Sequence, residues 1–319
     1  MRFAFITAAL LMAASPAALP AQDAKSLLLP ESVPSEVFSG QRSKDVLTAQ
    51  VLLDQSRFSP GVIDGYMGEN TRRAIRAFQR EHGMEVTGEV SSELLEKLGD
   101  DNADAIVQTY TISEDDVKGP FVDIPSSMTE MAKLEKLAYE TPLELLAEKF
   151  HMDREFLQAL NPGADFEKAG TEITVIAPGD QGLAEKVARI EIDKANESVR
   201  AYSGGGKLLA RYPATIGSKS FPSPSGKVQV KAIAMEPKYY FDPEGRSWGP
   251  DEKLTIAAGP NNPIGGTWID LSKDGYGIHG SPDPKMVGKR ASHGCVRLTN
   301  WDVDELARAV NTGATVEFI

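Results

Sequence analysis

The single cysteine of this 319-residue chain, Cys295, lies in the run Ser292-His293-Gly294-Cys295-Val296-Arg297, sixteen positions after the pair His279-Gly280. Only a thiolate is a strong nucleophile. An ordinary thiol, with a pKa of about 8.5, is a few per cent ionised at neutral pH, so a neighbouring imidazole must take its proton. His279 is the candidate base. Gly294 has no side chain and lets the backbone close on a substrate carbonyl, where amide N–H groups near Cys295 would stabilise a tetrahedral oxyanion. His293 and Arg297 are candidate positioning or electrostatic groups. One unit of thiol pKa is worth about 1.4 kcal/mol, so a single charged contact raises the thiolate fraction roughly tenfold. Orientation and oxyanion donors must therefore carry most of the catalysis.

Two other readings compete. A lone cysteine is often a small buried apolar side chain, and His-Gly is common punctuation at the end of an element. His279, His293 and Cys295 are also possible zinc ligands, but no fourth Cys or His lies nearby and His-x-Cys is not a usual ligand spacing. The nucleophile reading is preferred, and no metal or cofactor is expected. Thiol reagents should stop the reaction where chelators do not.

Residues 259–300, GPNNPIGGTWIDLSKDGYGIHGSPDPKMVGKRASHGCVRLTN, resemble the catalytic core of the YkuD-type L,D-transpeptidases, bacterial cell-wall enzymes. That family has a His-Gly, a loop of a dozen or so residues, then Ser/Thr-His-Gly-Cys, an apolar residue and often Arg; twelve residues separate His279 from Ser292 here. Pro224-Ser225-Gly226-Lys227 resembles its Thr-Pro-x-Gly turn, with Ser223 replacing the threonine. Asn262-Pro263-Ile264-Gly265 resembles its Asn-Pro-Leu-Gly. The likeness runs over roughly 186–319, and several ordered motifs are more specific than any one.

The resemblance implies roles. Cys295 would attack the carbonyl before the terminal D-amino acid of a peptidoglycan tetrapeptide stem, giving a thioester. His279 would be the base, oriented by the Gly280 carbonyl, and the backbone of His293, Gly294 and Cys295 would form the oxyanion hole. Ser292 and Arg297 would contact substrate, Arg297 alternatively being structural. An amine from another stem or from a wall-attached protein would resolve the acyl-enzyme.

The remaining chain suits an exported wall enzyme. Residues 1–21 read as a secretory signal, with Arg2, the apolar stretch Phe3 to Ala14, and small residues up to Ala21. That run is too short for a stable membrane-spanning helix, so no transmembrane anchor is expected after cleavage. The expected location is the periplasm or cell envelope. A lone thiol in an oxidising compartment is easier to understand if it works. The formal charge of −12 argues against nucleic acid, since an acidic surface repels phosphate. It does not exclude wall glycan or peptide.

The predicted architecture is multidomain α+β. Residues 41–98 form a small three-helix domain from the apolar sets Val46-Leu47-Val51-Leu52, Ala74-Ile75-Phe78 and Leu94-Leu95-Leu98. With Thr71, Ala74 and Phe78-Gln79, it is similar to peptidoglycan-binding domain 1; Phe78 and its neighbours would be core, and any binding would use polar residues from Asp64 to Asn70. Residues 106–178 resemble a LysM module, a glycan-binding α/β fold, in their helix-helix-strand part. Thr109 to Ile112 would be its first strand, but about thirty residues with a predicted helix at 131–138 precede the first helix, so binder and spacer both stay open. His82 and His151 are read as surface or helix-end histidines. Residues 186–319 read as a mostly-β sandwich or barrel, with His279 at a strand end and Cys295 on a loop opposite. The insertion 236–253, with Tyr239, Tyr240, Phe241 and Trp248, is a lid over the site or a self-packed loop.

Three functions fit. The chain is an L,D-transpeptidase, a carboxypeptidase or hydrolase with the same site and water as acceptor, or an inactive wall-binding scaffold.

Overall fold

Helix α1 (Lys44–Gln55) starts at Ser43, whose hydroxyl accepts the Val46 N–H, and buries Leu47, Val51 and Leu52. Helices α2 (Glu69–Glu81) and α3 (Ser92–Asp101) cover it with Ala74, Ile75, Phe78, Leu94 and Leu98. The computed structural model describes residues 33–101, 105–179, 182–244, 247–290 and 292–319; the secretory signal read at 1–21 lies outside them. Among the described residues no helix is long and apolar enough to cross a membrane.

The second unit opens with β1 (Val107–Thr111), antiparallel to β2 (Glu172–Ile176), in register from Val107 with Ile176 to Thr111 with Glu172. Between them lie α4 (Glu114–Lys118), α5 (Met128–Met131), α6 (Pro142–Lys149) and α7 (Arg154–Leu160). Proline at the first turn and a Thr141 hydroxyl accepting the Glu144 N–H open α6. The predicted helix at 131–138 is absent. After the single turn of α5 the chain runs out to the carboxyl-terminal domain, where Leu137 N–H donates to Ala258 O at 2.9 Å and Leu137 O accepts from Asn261 N–H at 3.0 Å. Those tertiary bonds override local helix propensity. The buried apolar residues from Val33 to Ile176 form one cluster, so the first two units share a core.

The carboxyl-terminal domain has its own core. Its strands are β3 (Val187–Asp193), β4 (Ser198–Ser203), β5 (Leu208–Pro213), β6 (Gly226–Met235), β9 (Thr267–Leu271), β10 (Gly277–His279), β11 (Val296–Arg297) and β12 (Val310–Phe318). They make one eight-stranded sheet, ordered β11-β10-β9-β6-β12-β3-β4-β5, with a separate hairpin of β7 (Tyr239–Phe241) and β8 (Leu254–Ile256). Helix α8 (Asn300–Ala309), capped by the Thr299 hydroxyl, leads into β12. The sheet curls until its ends meet: Thr215, just past β5, and Arg297 on β11 exchange backbone bonds of 2.9 and 3.0 Å.

Charged side chains from all three units meet under α8. His151 Nδ1 lies 3.0 Å from Asp54, and its ring stacks on Trp301 at 5.0 Å. Ser59 donates to Asp302 at 3.1 Å, and Arg57 pairs with Glu305 at 2.9 Å. His151 thus lies at the end of α6, as its helix-end reading had it, but is buried at a domain junction and not on the surface; the sequence could not show the carboxylate that compensates it. Burial pushes Asp302 up to about 7, helped by the nearby Asp54 charge. Burial opposes charge on His151, but Asp54 outweighs it and holds the imidazole above its usual value. Asp302 keeps a proton in the native state that the unfolded chain releases near pH 4, so stability falls as pH rises from about 4 to 7, and His151 adds to the fall above about 6.5. Calorimetry should show the melting midpoint dropping by about 5 °C or more over that window. Asp302→Asn should flatten the slope, and a midpoint rising with pH in the native chain would contradict the assignment.

Candidate active site

The nucleophile loop is stitched down at both ends. Ser292 N–H donates to Ile216 O at 2.9 Å, Ser218 N–H donates to Ser292 O at 3.1 Å, and Arg297 closes the far end on Thr215. Inside the loop, the Ser292 hydroxyl donates to Cys295 O at 2.5 Å and accepts the Gly294 N–H at 3.1 Å. Ser292 is buried, and its hydroxyl braces the loop. Gly294 has φ +118°, and a Cβ there would stand 2.9 Å from the Tyr276 ring. Only glycine suits that backbone.

His279 ends β10, which runs parallel to β11 with His279 level with Arg297. Cys295 is two residues before Arg297, in the bend that leads into β11. His279 thus sits at a strand end and Cys295 in a loop, as expected, but that loop runs directly into the neighbouring strand. The two residues line the same cavity, about 720 Å³. His279 Nδ1 donates to Gly280 O at 2.7 Å, which leaves Nε2 as the acceptor nitrogen. Trp268 stacks on the ring at 5.5 Å. Burial, with the Arg297 charge adding, holds His279 down to about 3. It is a neutral imidazole at every physiological pH.

His293 is packed between Trp248, 4.3 Å away, and Phe221, 4.8 Å away. Trp248, Tyr239 and Tyr240 line the cavity, so the 236–253 insertion walls the site; Phe241, 2% exposed, packs that insertion's own interior. Arg297 touches this cavity and a second one of about 160 Å³. Burial lowers its pKa, and its Nε has no hydrogen-bond partner among the described residues. A half-buried guanidinium with an unspent donor between two cavities can hold an anion. Among the described residues no group of three or more His, Cys, Asp and Glu side chains could hold a metal.

Several residues that shape the site carried no signal of their own in the sequence. The Ser223 hydroxyl donates to Gly294 O at 2.7 Å and accepts the Gly217 N–H at 2.9 Å, tying the turn at 222–226 to the nucleophile loop. Its place in a family-like turn was the only hint. Met128 reaches the cavity wall from the second unit. In the first unit, Asp64 bonds to Gln50, and Asn70, expected at a binding surface, is buried and donates to Val287 O of the carboxyl-terminal domain at 2.8 Å.

Comparison with known proteins agrees with this geometry. Residues 187–318 match the L,D-transpeptidase catalytic domain, YkuD, and residues 42–98 match the "Putative peptidoglycan binding domain". The "Putative L,D-transpeptidase YkuD" of Bacillus licheniformis is 29% identical over 174 residues, covering 54% of this chain and 91% of that protein. The "Probable L,D-transpeptidase YbiS" of Escherichia coli K12 is 31% identical over 186 residues, covering 56% of this chain and 60% of that protein. The crystal structure of an L,D-transpeptidase from Xylanimonas cellulosilytica aligns over 88% of this chain and 95% of that one, at 15% identity and a TM-score of 0.38, too low to bear on the assignment. Residues 187–318 are thus similar to the L,D-transpeptidase catalytic domain, and residues 42–98, ahead of them, to a domain of the peptidoglycan-binding type.

Proposed function

We propose that the protein is an exported L,D-transpeptidase that works through a Cys295 thioester on peptidoglycan stem peptides, in the periplasm or cell envelope. The observation that carries this is one cavity holding Cys295 and a neutral His279 whose Nδ1 is committed to Gly280 and whose Nε2 can accept a proton. Cys295 Sγ attacks the carbonyl, its proton passes to His279 Nε2, and the tetrahedral oxyanion collapses with loss of the terminal D-amino acid, which leaves as an amine carrying that proton. An acceptor amine then attacks the thioester, loses its proton to His279 Nε2, and expels the Cys295 thiolate, which recovers the proton. With the Gly294 amide committed to Ser292, the oxyanion donors fall to the backbone of His293 and Cys295. Arg297 holds a stem carboxylate. The aromatic wall of Tyr239, Tyr240 and Trp248 fits the lid reading of the insertion.

The front units serve the wall polymer in this reading. The strand-helix-helix-strand order of β1, α6, α7 and β2 supports the LysM-like assignment. The acceptor is an amine of a second stem or of a protein; with water the product would be a shortened stem. Purified protein incubated with a tetrapeptide muropeptide should give cross-linked dimers by mass spectrometry. Tripeptide alone would make it a carboxypeptidase, and unchanged substrate would make it a scaffold.

A further inference from the structure

Glu148 lies on α6, in the front body, yet its carboxyl group reaches the catalytic domain. Its Oε2 accepts from Asn300 Nδ2 at 2.9 Å, at the first turn of α8. The second Nδ2 proton of Asn300 goes to Pro260 O at 3.3 Å, and Asn300 Oδ1 accepts the Gly266 N–H at 3.3 Å. The carboxamide is therefore held on three sides. It is also wedged between two loops: a Cβ on Gly265 or Gly280 would stand 2.3 or 2.2 Å from Asn300 Oδ1. The carbonyl of that same Gly280 accepts the proton of His279 Nδ1.

We propose that Glu148 is a positioning residue for the catalytic base: through Asn300 it fixes the Gly280 backbone that aims His279. This rests on the acyl-transfer reading above. Without the Glu148 acceptor, one buried Asn300 N–H is left unpaired, a state costly enough to make the carboxamide turn or withdraw. The glycine loops packed on it then relax, and His279 with them. Burial pushes the Glu148 carboxyl group up to about 8, with the Glu144 charge adding and Arg154 opposing. At neutral pH it is mainly an uncharged acceptor, so glutamine is its near-equivalent. The second unit is then part of the active site and not a tether alone.

The test uses the full chain in three forms: native, Glu148→Gln and Glu148→Met. Methionine fills a similar volume and gives Asn300 no comparable acceptor. Acylation by a carbapenem, followed by mass, should slow about 100-fold in Glu148→Met with the half-saturating concentration within threefold, as expected from a base displaced by about 1 Å. Glu148→Gln should stay within about threefold of native in rate. A second readout does not depend on activity. The chain has four histidines, so the His279 Nδ1 proton can be assigned by NMR; it should persist in Glu148→Gln and shift or vanish in Glu148→Met. Native-like rate and resonance in the methionine form, or equal losses in both variants, would overturn the proposal. A native chain that takes up no carbapenem would count against the acyl-transfer reading, while the imidazole resonance would still decide the role of Glu148.

Discussion

Cys295→Ala yields a folded protein that forms no adduct with a carbapenem and no product from a muropeptide. The loss expected is on the order of a millionfold, the scale seen when the nucleophile of a covalent acyl-transfer enzyme is removed. The fold should not notice. Cys295 is half-buried, and its Sγ makes a long contact to Gly275 O at 3.7 Å. The loop is held instead by backbone bonds at Ser292 and Arg297 and by the hydroxyl groups of Ser292 and Ser223. The melting midpoint should therefore stay within about 2 °C of native, since no large apolar group or buried bond is lost. Cys295→Ser should be nearly as inactive, because a hydroxyl is a far weaker acid than a thiol and His279 is a weak base. Intact-mass measurement after carbapenem treatment decides the matter, and an adduct on the alanine variant would remove Cys295 from the mechanism.

The legible part of this molecule was the part written in short-range code. The Thr141-Pro142 helix start needs only a hydroxyl and a preset φ, and both the cap and the helix are present. The spacing of Ala74, Ile75 and Phe78 marks one face of α2, and that face is buried. The pair His279 and Cys295 was recognisable because thiol chemistry requires a base and because the flanking residues match a family pattern. What the sequence hid depends on contacts across about a hundred positions or more. His151 becomes an interior ion-pair residue only because Asp54 and Trp301 meet it from two other units. The stretch 132–138 gives up its helix because Ala258 and Asn261 offer backbone partners. Ser292 shows the limit of motif reading: its type fits the pattern, but the direction of its hydroxyl, into Cys295 O, is a fact of the folded loop.

The second large effect concerns the base. His279→Ala should slow acylation by about 100- to 10,000-fold, the range ascribed to general base catalysis. The pH dependence identifies the mechanism more sharply than the size of the loss. A preformed thiolate–imidazolium pair requires a histidine that holds its proton at neutral pH, whereas burial and Arg297 hold His279 down to about 3. The resting base is therefore a neutral imidazole, and the proton reaches it as sulfur attacks. His279 then adds no acid limb to the rate from about pH 5 to 7.5, because it titrates well below that window. Acylation by the native chain should be nearly flat across that range. In His279→Ala only ionised thiol can attack, so the residual rate should climb about tenfold per pH unit over the same range. Stopped-flow measurement of carbapenem acylation on both proteins reads these slopes directly. An acid limb near pH 6.5 in the native enzyme would mean a protonatable base in the usual imidazole range. That result would show that His279 is far less desolvated, in the working site, than its enclosure by Trp268, Gly280 and Arg297 requires.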